Sequence, residues 1–465
     1  MSPIYVPSVP TGPGIHDQST ARLYARFWRW HFFAAFIVIP FVLWQSVTGA
    51  VYLWSEQWMD RAYPNLRFVL QGGTQDPPSA QISAALRTVS TGPTPAMPND
   101  EAVSAQARVA HHDGTAGSQV AVQEILLPQD PRRSTTVLLR DANGLPFPVF
   151  IDPYGSRVLG TLSTSAWLPG ITRALHGGWP LGTPGSWLLE LGDGWAIVAL
   201  ATGLYLWWPR GRGFGAGLWP RLRNGPRVMI RDLHSCVAVW FSVVLLFFLV
   251  TALPWTKFWG ETILPVIETA TNQTSPAGFS TGGASIAQMT AALPAVDDVV
   301  EAARRRAVPG TLDVKLAPWP EAPLFVANVH TNPSQDRTML AEARSGRVLG
   351  DYRSHDVPAI PRFVAFGIHV HQGDFGLSSL WLNTAFAVSL IWLGATGALS
   401  WWIRRPRGGL SAPIAARVPP PRWVLAAALI VCVLLPLLGV SVVCLLITDR
   451  ALRRLLFGAA ASESA

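Results

Sequence analysis

The chain has 465 residues, of which 49% are hydrophobic and only 14% are charged. Soluble domains carry roughly 25% charged residues, so this composition excludes an ordinary soluble globular protein. The net charge of +8 does not indicate nucleic-acid binding, because the excess cations flank long apolar blocks. No CxxCH motif occurs, which excludes covalently attached c-type haem. All three cysteines lie inside those blocks, so the segments outside the blocks cannot have a disulfide framework.

Five apolar blocks are long enough to cross a bilayer, which takes about 20 helical residues. They cover Phe27–Trp54, Trp187–Trp208, Leu233–Trp255, Trp381–Ile403 and Trp423–Ile447. About 25 polar, Pro-rich or Gly-rich residues precede the first block, so we predict an uncleaved anchor rather than a signal peptide. The fifth block contains Pro436 and Gly439, and a bent or re-entrant element is the alternative to a fifth span there.

The arginines predict the orientation of the chain. Segments 1–26, 209–232 and 404–422 hold many arginines and two acidic residues, whereas loops 55–175 and 256–368 together hold 19 Lys+Arg and 21 Asp+Glu. The positive-inside rule therefore places the N-terminus in the cytoplasm and both long loops outside. A fifth span would put Arg450, Arg453 and Arg454 outside, against the rule, so the side of the C-terminus stays open.

The predicted organisation follows these blocks. It comprises a cytoplasmic N-terminal segment (1–26), a first span (27–54), a first outer domain (55–175), a histidine-bearing entry and second span (176–208), a basic cytoplasmic loop (209–232), a third span (233–255), a second outer domain (256–368), a histidine-bearing entry and fourth span (369–403), a cytoplasmic loop (404–422), a fifth span or re-entrant segment (423–447) and a C-terminal tail (448–465).

The two outer loops end alike, at 149–160 and 339–350, and each ending predicts a strand, a tight glycine turn and a second strand. In the second loop, Ala287–Arg306 has helical periodicity, and Thr311–Leu316 and Leu324–His330 read as strands. These elements predict a helix packed on an antiparallel sheet for the second loop. The Pro-, Gly- and Ser-rich tracts 71–98 and 271–283 are expected to be poorly ordered.

The spans repeat as well. Spans two and four end in Thr202-Gly203-Leu-Tyr-Leu-Trp-Trp and Thr396-Gly397-Ala-Leu-Ser-Trp-Trp, and Thr48-Gly49 in span one echoes the same step. The chain therefore reads as two copies of span, outer domain and span. Small residues at such steps permit close helix approach.

These features resemble the PepSY-associated transmembrane family. The resemblance covers most of residues 22–405 and rests on Asp152-Pro-Tyr-Gly-Ser-Arg-Val-Leu-Gly160, Ser345-Gly-Arg-Val-Leu-Gly350, Trp30-His31, Arg231-Asp-Leu-His234 and His371-Gln-Gly-Asp-Phe-Gly376. It implies a membrane α-helical bundle of four core spans plus a fifth, carrying two extracytoplasmic α+β PepSY-like domains. It also implies a haem-bearing protein of the bacterial inner membrane, and several relatives are linked to the reduction of ferric siderophores in the periplasm.

Ten histidines fall into two groups. His16, His111, His112, His330 and His355 lie in polar stretches or in an outer domain, where surface positions are expected. The other five begin or precede a span, where an ionisable side chain indicates function, although interfacial residues also tolerate polarity. They are His31, His176, His234, His369 and His371.

Topology pairs four of these histidines by depth. His31 and His234 begin spans one and three near the inside, and His176 and His371 precede spans two and four near the outside. Two facing imidazoles per leaflet would hold two b-type haems through their irons, and haems with both axial positions filled carry electrons. His369 lies about 200° from His371 on a helix, so only one can meet the same iron. The family's His-x-Gly pattern favours His371; His369 is the alternative ligand, or contacts a propionate or substrate.

Three weaker signals remain. The segment 211–217 is Gly-rich but lacks the strand–helix context of a dinucleotide site, so we predict no flavin or nicotinamide site. Glu190 and Asp193 early in span two either carry protons, hydrogen-bond the surroundings of the outer haem, or mark interfacial polarity. Asp374 is interpreted as a helix-start residue.

The favoured function is a di-haem oxidoreductase of ferric-siderophore reductase type that passes electrons from a cytoplasmic or quinol donor to a periplasmic acceptor. The alternative is a non-enzymatic sensor or regulator that uses its outer domains as binding surfaces. The membrane histidines favour the first, because a binding module does not need them. A transporter is the weakest hypothesis, since mid-membrane charges are missing from the sequence.

Overall fold

The computed structural model describes residues 17–90, 120–141, 145–178, 181–210, 214–275, 284–316, 323–329, 332–405 and 419–462. The chain divides into two compact units. The helical unit comprises residues 1–48, 176–264 and 384–465, and the sheet unit comprises residues 49–175 and 265–383. Among the predicted surface histidines, His16, His111, His112 and His330 lie outside the described residues.

Fourteen α-helices follow one another along the described residues. They are α1 (Asp17–Leu53), α2 (Ser55–Ala62), α3 (Pro64–Arg67), α4 (Pro78–Ser90), α5 (Leu168–His176), α6 (Gly182–Trp207), α7 (Pro226–Trp240), α8 (Ser242–Ala252), α9 (Leu264–Ala270), α10 (Ile286–Arg305), α11 (Ala359–Gln372), α12 (Leu377–Arg404), α13 (Arg422–Leu434) and α14 (Pro436–Ser462).

Three helices among the described residues are long and apolar enough to cross a membrane, namely α1, α6 and α12. Helix α7 and the stretch Ser242–Trp255 qualify together as a fourth span that is bent by 58°. The chain is therefore a multi-pass membrane protein. The predicted third span at 233–255 begins later than the helix in the structure, which starts at Pro226. The prediction also lacked the break in this helix at Phe241. The first helix likewise begins at Asp17, ten residues before the predicted block.

Glycines allow α1 to pack tightly against two neighbouring helices. A Cβ atom at Gly192 of α6 would lie 3.1 Å from the Phe41 ring, and one at Gly394 of α12 would lie 3.1 Å from Leu43. Small residues at such contacts let helix backbones approach closely, and packing of this kind drives helix association in lipid. Gly192 and Gly394 thus allow α6 and α12 to contact α1 closely.

The fifth apolar block is broken, as its bent alternative predicted. Leu435 between α13 and α14 is not helical, with φ −123° and ψ 81°. The chain turns so sharply there that a Cβ at Gly439 would come within 2.7 Å of the Cys432 carbonyl oxygen. The turn packs on α6, where the Trp195 indole donates a 3.2 Å hydrogen bond to Ser441.

The sheet unit contains one antiparallel sheet. Its strands are β1 (Ala121–Leu127), β2 (Thr135–Arg140), β3 (Pro146–Asp152), β4 (Arg157–Thr161), β5 (Ala284–Ser285), β6 (Thr311–Leu316), β7 (Pro323–Val329), β8 (Arg337–Glu342) and β9 (Val348–Arg353). The strand order is β4-β3-β2-β1-β6-β7-β8-β9, and β5 pairs with the end of β1. Two halves, each of one helix and four strands, therefore meet at β1 and β6.

The β1–β6 seam merges the two predicted domains into one. Ile125 pairs with Val314, Leu126 with Asp313 and Leu127 with Leu312. Helices α4 and α10 pack on the sheet around one continuous hydrophobic core, in which Ile125 and Val314 are completely buried. The second half thus has the predicted helix-on-sheet composition, and the largest core is shared by both halves. A smaller cluster around Met59, Leu66, Phe150 and Leu162 belongs to the first half alone.

The predicted hairpins are confirmed, and they share an irregularity. In β3–β4, Phe150 pairs with Gly160 and Ile151 with Val158, so Leu159 is bulged out. In β8–β9, Leu340 pairs with Gly350 and Ala341 with Val348, so Leu349 is bulged out. The shared Arg-Val-Leu-Gly sequence thus forms the same β-bulge twice.

In the second loop the predicted strand and helix boundaries agree with the structure, whereas the expectation for the tract 71–98 does not. Strand Thr311–Leu316 is as predicted, and α10 starts one residue early because Ser285 and Gln288 form a reciprocal capping box. The tract 71–98 was wrongly expected to be poorly ordered, since it contains the packed helix α4. The apolar residues Ile82, Ala85 and Leu86 on one helical face explain the difference. Residues 91–98 and 276–283 lie outside the described residues.

A substitution at the second hairpin turn tests its geometry. Gly346 has φ +66°, and a Cβ there would lie 2.8 Å from the Asp298 Cβ. We expect Gly346→Ala to lower the free energy of unfolding of the sheet unit by about 1–2 kcal/mol, the cost of a left-handed non-glycine residue. Thermal melting of the solubilised full chain measures this. Gly155→Ala is the matched control, because no atom lies within 4 Å of its Cβ; equal melting of both variants would contradict the prediction.

Candidate functional site

His31 of α1 is held by α6. Its Nδ1 lies 2.9 Å from the Ala199 carbonyl oxygen and 3.3 Å from the Thr202 hydroxyl. The Thr202 hydroxyl already donates its proton to the Val198 carbonyl at 2.6 Å. Both neighbours of Nδ1 can therefore only accept, so Nδ1 carries the proton. The lone pair of the neutral ring then lies on Nε2.

His234 of α7 is held by α12 in the same way. Its Nδ1 lies 2.9 Å from the Thr396 hydroxyl, which donates its own proton to the Trp392 carbonyl at 2.7 Å. The Nδ1 atom of His234 is therefore also the donor, and Nε2 carries the lone pair.

His176, the last residue of α5, repeats the pattern on α1. Its Nδ1 lies 3.0 Å from the Thr48 hydroxyl, and this hydroxyl donates to the Trp44 carbonyl at 2.8 Å. Three candidate histidines thus have the same tautomer, each fixed by a threonine whose proton is spent on the carbonyl four residues earlier in its own helix.

The three threonines are the Thr-Gly steps of the sequence repeat. They are nearly buried, with exposed fractions of 7%, 3% and 4% for Thr48, Thr202 and Thr396. The sequence repeat contains these steps, but it was given no role in binding the histidines. The recurrence of threonine at the depths of the histidines could have indicated that role. Thr251 follows His234 by 17 residues, as Thr48 follows His31, and it also donates to the carbonyl four residues back, at 2.9 Å.

The glycines after two of these threonines make room for the imidazoles. A Cβ at Gly203 would lie 3.1 Å from the His31 Cε1 atom, and one at Gly397 would lie 3.6 Å from the Cε1 of His234. At Gly203 a larger residue would push the ring away from Thr202. The Thr202-Gly203 step therefore supplies both a hydrogen-bond acceptor and space for the His31 ring, whereas a Cβ at Gly397 would make an ordinary van der Waals contact with His234.

His369 in α11 has a different environment. Its Nε2 lies 2.9 Å from Asp336 Oδ2 and its Nδ1 lies 2.9 Å from Asp374 Oδ2. Burial alone would lower the pKa of His369, but hydrogen bonds to the two carboxylates and their charges outweigh it and raise the pKa to about 9. Both nitrogens of the resulting imidazolium are donors, so this ring offers no lone pair to a metal.

His371 lies in the last turn of the same helix. Asn383 of α12 donates hydrogen bonds to the backbone carbonyls of Val370 (2.7 Å) and His371 (3.2 Å). Asp374, interpreted above as a helix-start residue, lies three residues before α12 begins, and its carboxylate accepts the bond from His369. His355 is 70% exposed, as expected for a surface position.

Glu190 ties α6 to the turn that follows span three. Its side chain is 4% exposed, and Oε2 accepts hydrogen bonds from the backbone N–H groups of Phe258 and Trp259, both at 3.1 Å. A carboxylate with two backbone donors is satisfied by the protein itself. This favours a hydrogen-bonding role for Glu190 over proton transfer.

No group of three or more His, Cys, Asp or Glu side chains within the described ranges could hold a bare metal ion. His31, His176 and His234 instead stand as separate imidazoles on three different helices. A neutral ring with Nδ1–H hydrogen-bonded and Nε2 bearing the lone pair is the form in which histidine ligates haem iron, and the partner of Nδ1 fixes its orientation. The residues of the helical unit therefore fit axial haem ligation.

The comparison with known families agrees with the sequence motifs. The family model described as PepSY-associated TM region matches residues 28–404. The chain belongs to this family. The match includes all five membrane-associated histidines and both halves of the sheet, and it ends at the last residue of α12. No curated protein matches the sequence.

Proposed function

We propose that this PepSY-associated membrane protein is a b-type di-haem oxidoreductase that carries electrons across the bacterial inner membrane to a periplasmic acceptor. The observation that supports it best is the shared tautomer of His31, His176 and His234. Three unrelated surface histidines would have no reason to adopt one tautomer, each fixed by a buried threonine of the same sequence repeat.

The inner haem would be held by His31 and His234. Both rings belong to the helical unit, and each is oriented by a hydroxyl on the following span. The acceptors are neutral, so the rings remain neutral imidazoles. When bound between them, haem b supplies reversible one-electron transfer.

The outer haem would be held by His176 and His371, as the sequence pairing predicts. His369 is the weaker candidate, because both of its nitrogens donate to carboxylates. Two haems suit an electron that must cross roughly 30 Å of hydrocarbon. The arginine asymmetry of the loops supports a cytoplasmic N-terminus and a periplasmic sheet unit. The electrons would come from a cytoplasmic or quinol donor.

The acceptor we propose is a ferric siderophore, on the resemblance stated above. Hard oxygen donors hold Fe(III) more tightly than Fe(II), so adding one electron to the bound iron would weaken the complex and release the metal. The alternative function is a non-enzymatic PepSY sensor, for which the single nine-stranded sheet could serve as a binding surface.

Haem content tests the ligand assignment. The purified protein should contain two non-covalent haems per chain, and His234→Ala should remove about half of the haem while keeping the outer one. His176→Ala should do the reverse, because each variant removes one ligand from a different pair. Pyridine haemochrome quantitation measures the loss, and His355→Ala is the control, since this ring is exposed. Full haem retention in the alanine variants of all four ligands would refute the assignment.

The threonines are tested by removing one hydroxyl. Thr396→Val should weaken haem binding about 10-fold or more, the usual effect of losing the hydrogen-bond partner of a ligating histidine. Thr396→Ser should restore it. The matched control is Thr256→Val, because Thr256 is 7% exposed and donates to Leu253 but contacts no candidate ligand. Haem transfer to a scavenger apoprotein gives the rates; identical rates for the Thr396 and Thr256 valine variants would rule out this role.

The reaction itself is tested anaerobically. The protein is reduced chemically, separated from reductant and mixed with ferric siderophores and a ferrous-iron chelator. We expect the haem spectrum to reoxidise while ferrous iron appears in equal amount, because one electron reduces one Fe(III). Haems that stay reduced with every siderophore tried would argue for another acceptor or for the sensor function.

A further inference from the structure

We propose that His369 is a positioning residue that fixes the orientation of His371, and that Asp336 and Asp374 hold it in place. The proposal rests on the proposed function, since His371 is there the outer ligand. All residues involved belong to the sheet unit. The side chains of His369, Asp336 and Asp374 form what we call the clamp.

The clamp joins the sheet to the helix that carries His371. Asp336 follows a short turn (Pro333–Gln335) and immediately precedes β8. Its carbonyl accepts from the Ser354 N–H at 2.9 Å, at the end of β9. The Asn328 side chain donates to the Gln335 carbonyl (2.8 Å) and accepts from the Arg337 N–H (2.7 Å). The Asp336 carboxylate is therefore presented from a rigid edge of the sheet.

The other arm of the clamp closes the end of α11. Gly373 adopts a left-handed conformation, and the backbone N–H of Asp374 donates to the His369 carbonyl at 3.0 Å. This is the geometry of a glycine-terminated helix end. The Asp374 carboxylate then reaches back to the ring of the same His369. The last helical turn includes His371. It is held by the backbone hydrogen bond from Asp374 to His369 and by the contact between the side chains of these two residues.

The chemistry of the clamp differs from that of the candidate ligands. The side chains of His369 and Asp374 are each 12% exposed, so the ion pairs are largely shielded from water. Charge-assisted hydrogen bonds are shorter and stronger than neutral ones. A ring held by two of them is suited to fixing a backbone turn. The two-residue spacing places His371 on the opposite side of the helix, so one histidine can anchor while the other ligates.

The test uses the full-length haem-loaded protein. The variants are His369→Gln and Asp336→Asn, compared with Arg337→Gln. Arg337 is next to Asp336 and makes a bidentate pair with Asp351 at 2.7 and 2.6 Å, so its loss removes an ion pair of the same sheet edge without touching the clamp. Low-temperature electron paramagnetic resonance of the ferric haems reports each ligand geometry, and haem release to a scavenger apoprotein reports affinity.

Both clamp variants should keep two haems per chain. The signal of the outer haem should broaden or become partly high-spin, and its release should accelerate about 10-fold or more. The inner signal should not change, which also shows that the variants fold. Arg337→Gln should leave both signals as in the wild type.

Two results would overturn the proposal. If His369→Gln loses one haem while His371→Gln keeps both, His369 is the ligand, and the proposed di-haem function survives. If the clamp variants and Arg337→Gln all give the wild-type outer signal, the clamp does not position His371. A wild-type protein that purifies without haem would refute the proposed function and this inference together.

Discussion

The hydrogen bond from an imidazole Nδ1–H to a buried threonine hydroxyl is the interaction on which the candidate site depends. A neutral histidine in an apolar bundle has two possible tautomers, and only the one with a lone pair on Nε2 presents a ligand away from the supporting helix. Each threonine removes the ambiguity because its own proton is committed to the helix backbone. Helix geometry thereby decides which ring nitrogen is basic, and no charged group has to be buried to achieve it.

His369 has different hydrogen-bond partners from the three threonine-bound histidines. His369 lies between two carboxylates and is cationic, whereas the three threonine-bound rings are neutral. The carboxylates of Asp336 and Asp374 accept from both ring nitrogens of His369, and such pairing offsets the cost of burying a cation. Neutral partners suit the interior of a helical bundle, where an unpaired charge is expensive. The same side chain thus has two protonation states because of what its ring nitrogens contact.

Much of this organisation could be predicted from the sequence because it is local. The hairpin turns, the α10 helix and the break near Pro436 follow from residues adjacent in the chain. The partners of the histidines could not be predicted, since the bonds of His31, His176 and His234 join residues 128 to 171 positions apart. The single sheet was missed for the same reason, because β1 and β6 come from different loops. The helix α4 was missed because flanking Pro and Gly residues obscured a short apolar face.

The seam between β1 and β6 has a consequence for how the chain is made. Strand β1 is synthesised with the first half of the protein, but its partner arrives only after two more spans have been inserted. Until then the N–H and C=O groups along one side of β1 form an unprotected edge, of the kind that pairs with other chains. Biogenesis of this protein therefore includes an interval in which β1 lacks one of its two neighbouring strands and the sheet is unfinished.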